Sequence, residues 1–250
     1  MKEIKRLIIA LQFMTRIPIP IRIDLKDDDF LKSTAYFPIV GFVVGILSLL
    51  IYLLLKSVFP REIVMTVIIA FSYVLIGAFH IDGLADTFDG LFSNKNKEGM
   101  LEVMRDSRLG TNGVLAILFM IILRISFLTN IDDSYIMAVL IITPMIGRLS
   151  QVLAIMISKS AREGKGLGGL LIGKIGYREF MISAVITLII GYFIFPIQWL
   201  IAITAVVLIM AYLETYYISA RIGGMTGDTL GAINELAELT TLAMVYIILR

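Results

Sequence analysis

The sequence predicts an all-α fold, a polytopic membrane helix bundle of about six or seven transmembrane helices behind an N-terminal interfacial helix. Three observations predict it. Hydrophobic residues make up 58% of the 250 residues and charged residues 17%. A soluble domain carries about a quarter charged residues, so this chain lacks polar cover for a water-facing surface. The mean hydropathy is +0.92, and the apolar residues fall into runs near the length of a bilayer crossing. Third, Lys and Arg gather in alternate loops. The same balance excludes other classes. A net charge of +2 with scattered charges makes no nucleic-acid surface, and disorder or a coiled coil fits no better. With no Cys there is no disulfide, iron–sulfur cluster or Cys-ligated zinc, and one His excludes sites that need two imidazoles.

The chain reads as a single integral membrane domain over residues 1–250. Its first segment, 1–35, opens with a short apolar run and no small-residue cleavage site, followed by Thr15-Arg16-Ile17-Pro18, so it does not read as a removable signal peptide. Ile4, Leu7, Ile8 and Leu11 share one helical face, which predicts a short helix lying on the membrane. Across 36–250, apolar segments are predicted at Tyr36–Leu55, Ile63–Phe79, Val114–Leu128, Tyr135–Ile157, Phe180–Phe195 and Ile197–Tyr217, with a shorter one at Leu239–Leu249. With the N-terminus inside, the inner segments hold seventeen Lys and Arg, and the outer loops hold only Lys56 and Arg61. That asymmetry predicts a multi-pass membrane protein with the long loops 80–113, 158–178 and 219–238 facing the cytoplasm and carrying the chemistry.

The second span leads into His80-Ile-Asp-Gly-Leu-Ala-Asp-Thr-Phe-Asp-Gly90. On a helix, Asp82, Asp86 and Asp89 fall within an arc of roughly 60°, where like charges at i, i+4 repel by a few tenths of a kcal/mol. No Lys or Arg occurs between residues 80 and 94 to relieve this. Magnesium would. It takes one or two carboxylates and draws its other ligands from water and substrate phosphate. Gly83 would let a bulky ligand approach the backbone. The plain alternative is a solvated turn at the membrane edge. His80 points away from the aspartates on such a helix and reads first as an interfacial hydrogen-bonding residue.

Downstream, Arg105 and Arg108 stand beside Asp106, Ser107 and two glycines. They suit bidentate capture of phosphate or pairing with the aspartates, and otherwise a positive-inside anchor. The glycine-rich stretch from Ser158 to Gly169 matches a dinucleotide fingerprint only as a string, because no strand precedes it. Near it, Gly168 to Lys174 imitates a phosphate loop, but Ile175 stands where a Ser or Thr would hold magnesium. What remains is a cationic loop, with Lys159, Arg162 and Lys165, suited to closing over an anion or to anchoring the chain. Arg124 and Arg148 lie inside apolar spans, where each costs about 2.5–3.5 kcal/mol unless paired. Arg124 is expected to pair structurally; Arg148, after Pro144 and Gly147, is placed to meet a carboxylate or substrate. Finally, Asp228, Glu235 and Glu238 share a helical face after Gly227, either as a second carboxylate stripe or as part of a helix cap with Thr226.

Separated blocks covering nearly the whole chain resemble the cobalamin synthase family of membrane adenosylcobinamide-GDP ribazoletransferases. They are Phe13-Met-Thr-Arg-Ile-Pro18, Phe37-Pro-Ile-Val-Gly41, the block from His80 to Gly90, Met104-Arg-Asp-Ser-Arg-Leu-Gly110, and Gly223-Gly-Met-Thr-Gly-Asp-Thr-Leu-Gly-Ala232 with Glu235. The resemblance implies that adenosylcobinamide-GDP and α-ribazole, or its 5′-phosphate, are joined with release of GMP, with magnesium as cofactor. Residue reading and resemblance meet on one mechanism, in which a ribazole hydroxyl attacks the phosphorus nearest the corrinoid. Magnesium is expected on Asp82, Asp86 and Asp89, with Asp228 and Glu235 as further ligands. Arg105, Arg108, Lys165, Arg148, Gly83 and Thr226 are the candidate substrate contacts, and Asp89 or Asp228 accepts the hydroxyl proton. The resemblance also implies a prokaryotic cell (inner) membrane, and the expected partners are membrane lipid and either a homo-oligomer or a complex of B12-pathway proteins. The rival readings are a CDP-alcohol phosphotransferase-like enzyme, which places Ala-Arg where Leu84-Ala85-Asp86 stands, and a transporter for an anionic solute.

Overall fold

The computed structural model describes residues 2–24, 26–162 and 167–249, and their only regular secondary structure is helical. In chain order the helices are α1 (Lys2–Met14), α2 (Asp27–Ser33), α3 (Phe37–Leu55), α4 (Arg61–Ile76), α5 (Phe79–Leu91), α6 (Lys97–Val103), α7 (Thr111–Asn130), α8 (Asp133–Ile157), α9 (Leu167–Leu171), α10 (Tyr177–Tyr192), α11 (Ile197–Ile222) and α12 (Gly227–Ile248). Five elements are long and apolar enough to cross a bilayer: Asp27–Leu55, α7, α8, α11 and α12. The bent pair α4–α5 makes a sixth if counted as one span.

α8 lies at the centre, enclosed on nearly every side by α3, α12, α10 and α11. Gly41 and Gly45 of α3 set that helix directly against the backbone of Pro144 and Ile141, the small-residue contact that membrane helices use in place of a hydrophobic driving force. The outward faces of α7 and α11 expose Leu115, Leu118, Phe119, Ile122, Ile201, Ile209 and Leu213, as a lipid solvent requires. α1 buries Ile9, Ala10 and Met14 against the bundle, with Phe13 stacked on Phe37 at 6.3 Å. The Ile4, Leu7, Ile8 and Leu11 stripe stays wholly or partly exposed.

Three expectations are corrected. The span predicted at Ile63–Phe79 stops at Ile76, where Gly77 and Ala78 take left-handed conformations and the chain turns by 90° into α5. Arg16 closes that corner: its N–H donates to the Leu75 carbonyl at 2.7 Å, and its side chain packs on Gly77. Hydropathy carries no information about direction, so the corner is invisible in it. The segments read as a loop at 219–238 and a short span at Leu239–Leu249 belong instead to the end of α11, a tight turn and the single 22-residue α12. Glu235 and Glu238 do not break the helix, because Arg124 neutralises them inside the bundle. The segment predicted at Phe180–Phe195 starts earlier, as the 16-residue α10, and at about 24 Å it reaches the far end of α8 through the residues that follow it, where Phe195 meets Tyr135 at 5.9 Å.

Candidate active site

The ends of α5, α8, α7 and α12 meet at one end of the bundle. Gly83 makes the meeting possible. A Cβ there would lie 2.6 Å from the carbonyl oxygen of Asp228 and 2.9 Å from its Cα, so only glycine lets α5 cross the start of α12 this closely. The crossing brings the two carboxylate-bearing segments together. Asp82 is exposed, Asp86 and Asp228 are half-buried, and Asp86 feels the charges of Asp82, Asp228 and Asp89 at once.

A main-chain clamp supplies the counter-charge. The Ala161 N–H donates to the Met225 carbonyl at 2.9 Å, and the Met225 N–H to the Lys159 carbonyl at 2.8 Å. This fastens the segment after α8 to the turn before α12, and it sets Arg162 Nη1 3.3 Å from Asp228 Oδ2. Burial pushes the Arg162 guanidinium below its ordinary value, while Asp228 pulls the other way. Arg162 Nε and Nη2 are buried with no partner among the described residues, leaving two charged donors for an anion. Thr226 caps α12 by accepting from the Thr229 N–H at 3.2 Å, and its hydroxyl reaches the same Asp228 Oδ2 at 3.3 Å. Asp228 Oδ1 is left free of both contacts.

Other candidates are placed differently. Asp89 accepts from the Gly110 N–H at 2.7 Å and the Gly113 N–H at 2.9 Å, so its carboxylate caps the start of α7. A Cβ at either glycine would collide with that carboxylate. Arg108 is exposed and locked onto Asp106 by three hydrogen bonds of 2.6–3.1 Å, which hold the Asp106 carboxyl down at about 2. Arg105 is exposed, unlike Arg108 carries no ion pair to Asp106, and repels Arg162. It lines a rim cavity of about 380 Å³ with Lys95, Glu102 and Arg108. Lys165 lies outside the described residues.

Arg148 and Glu235 sit deeper. Arg148, fully buried, donates to His80 Nδ1 at 3.0 Å and to Asn234 Oδ1, with Glu238 3.9 Å away. Glu235 accepts from Arg124 at 2.9 Å and from the Tyr73 hydroxyl at 3.1 Å, and Arg124 also pairs with Glu238. Glu235 lies two turns, roughly 10 Å, along α12 from Asp228.

Beside the rim carboxylates opens a cavity of about 440 Å³. Asp82, Asp228, His80 and Gln151 form its polar part, Gly168 and Gly227 its glycine edge, and Phe13, Met14, Phe37, Phe79, Ile155, Leu171 and Leu230 its apolar wall. Gln151 and Phe79 carried no signal in the sequence, since one lies inside an apolar helix and the other at a span end. Among the described residues, no three carboxylates or imidazoles stand close enough to cage an ion by themselves. The donors at the rim are all oxygen, and one or two carboxylates completed by phosphate and water is the arrangement magnesium prefers. The residues present therefore fit that ion.

The sequence family described as cobalamin-5-phosphate synthase matches residues 6–246. A protein of Thermoanaerobacter sp. (strain X514) is 62% identical over 242 residues, 97% of each chain. One of Caldanaerobacter subterraneus subsp. tengcongensis is 56% identical over 98% of each chain, and one of Clostridium novyi is 40% identical over 94% of each. All three carry the name adenosylcobinamide-GDP ribazoletransferase. No solved structure matches the chain.

Proposed function

The chain belongs to the cobalamin-5-phosphate synthase family, and we propose that it joins adenosylcobinamide-GDP to α-ribazole, or its 5′-phosphate, at the bundle end where Asp82, Asp86 and Asp228 meet. The carrying observation is the crossing at Gly83, which brings Asp82 and Asp86 of one segment beside Asp228 of another, with the half-buried Arg162 paired to Asp228, at a cavity lined by Asp82 and Asp228. A ribazole hydroxyl attacks the phosphorus on the corrinoid side of the diphosphate. A new P–O bond forms, the P–O bond to GMP breaks, and GMP leaves with the electron pair. Asp228 Oδ1, free of the Arg162 and Thr226 contacts, takes the hydroxyl proton and returns it to solvent.

Arg162 turns two unpartnered donors toward the non-bridging oxygens, where charge grows in the transition state. Asp82 and Asp86 would hold magnesium, which when bound withdraws charge from the diphosphate. Asp89 serves the same site by fixing α7 against α5. Seventeen inner Lys and Arg against two outer ones support a cytoplasmic placement of this end, in an inner membrane with lipid around the outward faces. The transporter reading drew on Arg124 and Arg148; Arg124 is paired with Glu235 and Glu238, and Arg148 is held by His80 and Asn234 through Nη1, its Nε and Nη2 having no partner among the described residues.

The test is GMP release by the purified protein in lipid nanodiscs. Release should require both adenosylcobinamide-GDP and the ribazole, stop on chelation and return with added magnesium. Release without the ribazole, or turnover unaffected by chelation, overturns the reading.

A further inference from the structure

We propose that the apolar cavity behind Asp82 and Asp228 is the seat of the ribazole base, a flat benzimidazole, with its ribose turned toward Asp228. This rests on the ribazoletransferase reading and assigns one of its two substrates a place. The cavity's size, about 440 Å³, lies in the range of small-molecule sites, about 300–1,000 Å³. A corrinoid macrocycle fringed with amides is several times too large. Guanine would fit by size but not by chemistry. Its edge carries donors and acceptors that would be buried against Phe37, Ile155 and Leu171 without partners. A benzimidazole edge is hydrocarbon except at one ring nitrogen, and its faces suit Phe37 and Phe79.

The polar end fits a ribose. Gln151 is 3% exposed, its amide nitrogen donates to the Leu230 carbonyl at 3.0 Å, and its amide oxygen has no partner among the described residues. That orphaned acceptor asks for a donor, which a ribose hydroxyl supplies. Asp228 lines the same cavity, so a base seated on the apolar wall can present the sugar to the proton acceptor and to the diphosphate beyond it.

Phe79 is 39% exposed, so its truncation spares the packed core. In nanodiscs, Phe79→Ala should raise the KM for the ribazole by about tenfold or more, the loss of a buried ring, while the KM for adenosylcobinamide-GDP stays within about twofold. The base of α-ribazole is a benzimidazole with two ring methyls, and removing both should cost wild type about tenfold in KM. If Phe79→Ala instead raises the KM for the GDP-linked substrate alone, or alters neither, the cavity does not hold the base. Should that variant fail to fold, the wild-type base series decides, and equal KM with and without the methyls overturns the proposal. Equilibrium dialysis of the benzimidazole ribonucleoside separates the two readings. Binding that Phe79→Ala abolishes, with no GMP release by wild type, keeps the seat and sinks the reaction; GMP release whose ribazole KM ignores Phe79 does the reverse.

Discussion

α12 carries carboxylates in two settings. At its start, Asp228 joins Asp82 and Asp86, and among the described residues Arg162 is the one cation paired with it, so carboxylates outnumber the cations there. Two turns deeper, Glu235 and Glu238 meet Arg124, Arg148, Tyr73 and Asn234, so charge is balanced and three of the four carboxylate oxygens are engaged, Glu235 Oε1 having no partner among the described residues. The residue types are alike and the roles opposite. A carboxylate balanced by fixed buried cations holds helices together, whereas one left in excess at an open rim can take a proton or a cation.

Breaking the deep set should produce the largest effect. Arg124→Met strands two buried carboxylates, and its expected cost is about 3–5 kcal/mol of stability, read as a lowered thermal midpoint in detergent. Combining Arg124→Met with Glu235→Gln and Glu238→Gln should restore part of it. An unchanged midpoint together with lost turnover would move the deep set into the chemistry and erase the contrast.

The rim should answer in the other measurement. Asp82→Asn, Asp86→Asn and Asp228→Asn are each expected to cut kcat on the order of 10²–10³, with the thermal midpoint held or raised as crowded charge is removed. A rim substitution that melts the protein would show those carboxylates to be structural. Smaller still, Gly83→Ala sharpens the comparison at the crossing. Pushing α5 off α12 should cost about 1–3 kcal/mol and slow GMP release, while the Arg124 cluster keeps its own contribution. Wild-type turnover in Gly83→Ala would mean that the approach of the two helices does not set the rate.

Much of this was legible in the sequence. The stripe Asp82, Asp86, Asp89 is helical as its spacing predicts, and Arg124 is paired inside the bundle as its burial demanded. What escaped depends on partners far along the chain. Asp89 looks like a third rim ligand until Gly110 and Gly113, 21 and 24 residues on, claim its oxygens. Glu235 looks like a cytoplasmic residue until Arg124, 111 residues earlier, is set beside it. Arg162 was one of three cations in a glycine-rich loop, and only the clamp between Ala161 and Met225 singles it out.

The right angle between α4 and α5 has a consequence for how the protein meets its surroundings. Bilayers differ in acyl-chain length, and spanning helices respond by tilting. α5 turns out of that direction, so the separation of Asp82 from Asp86 is set by one turn of helix and not by the thickness of the hydrocarbon slab. Reactive groups mounted on a crossbeam keep their spacing while the pillars lean.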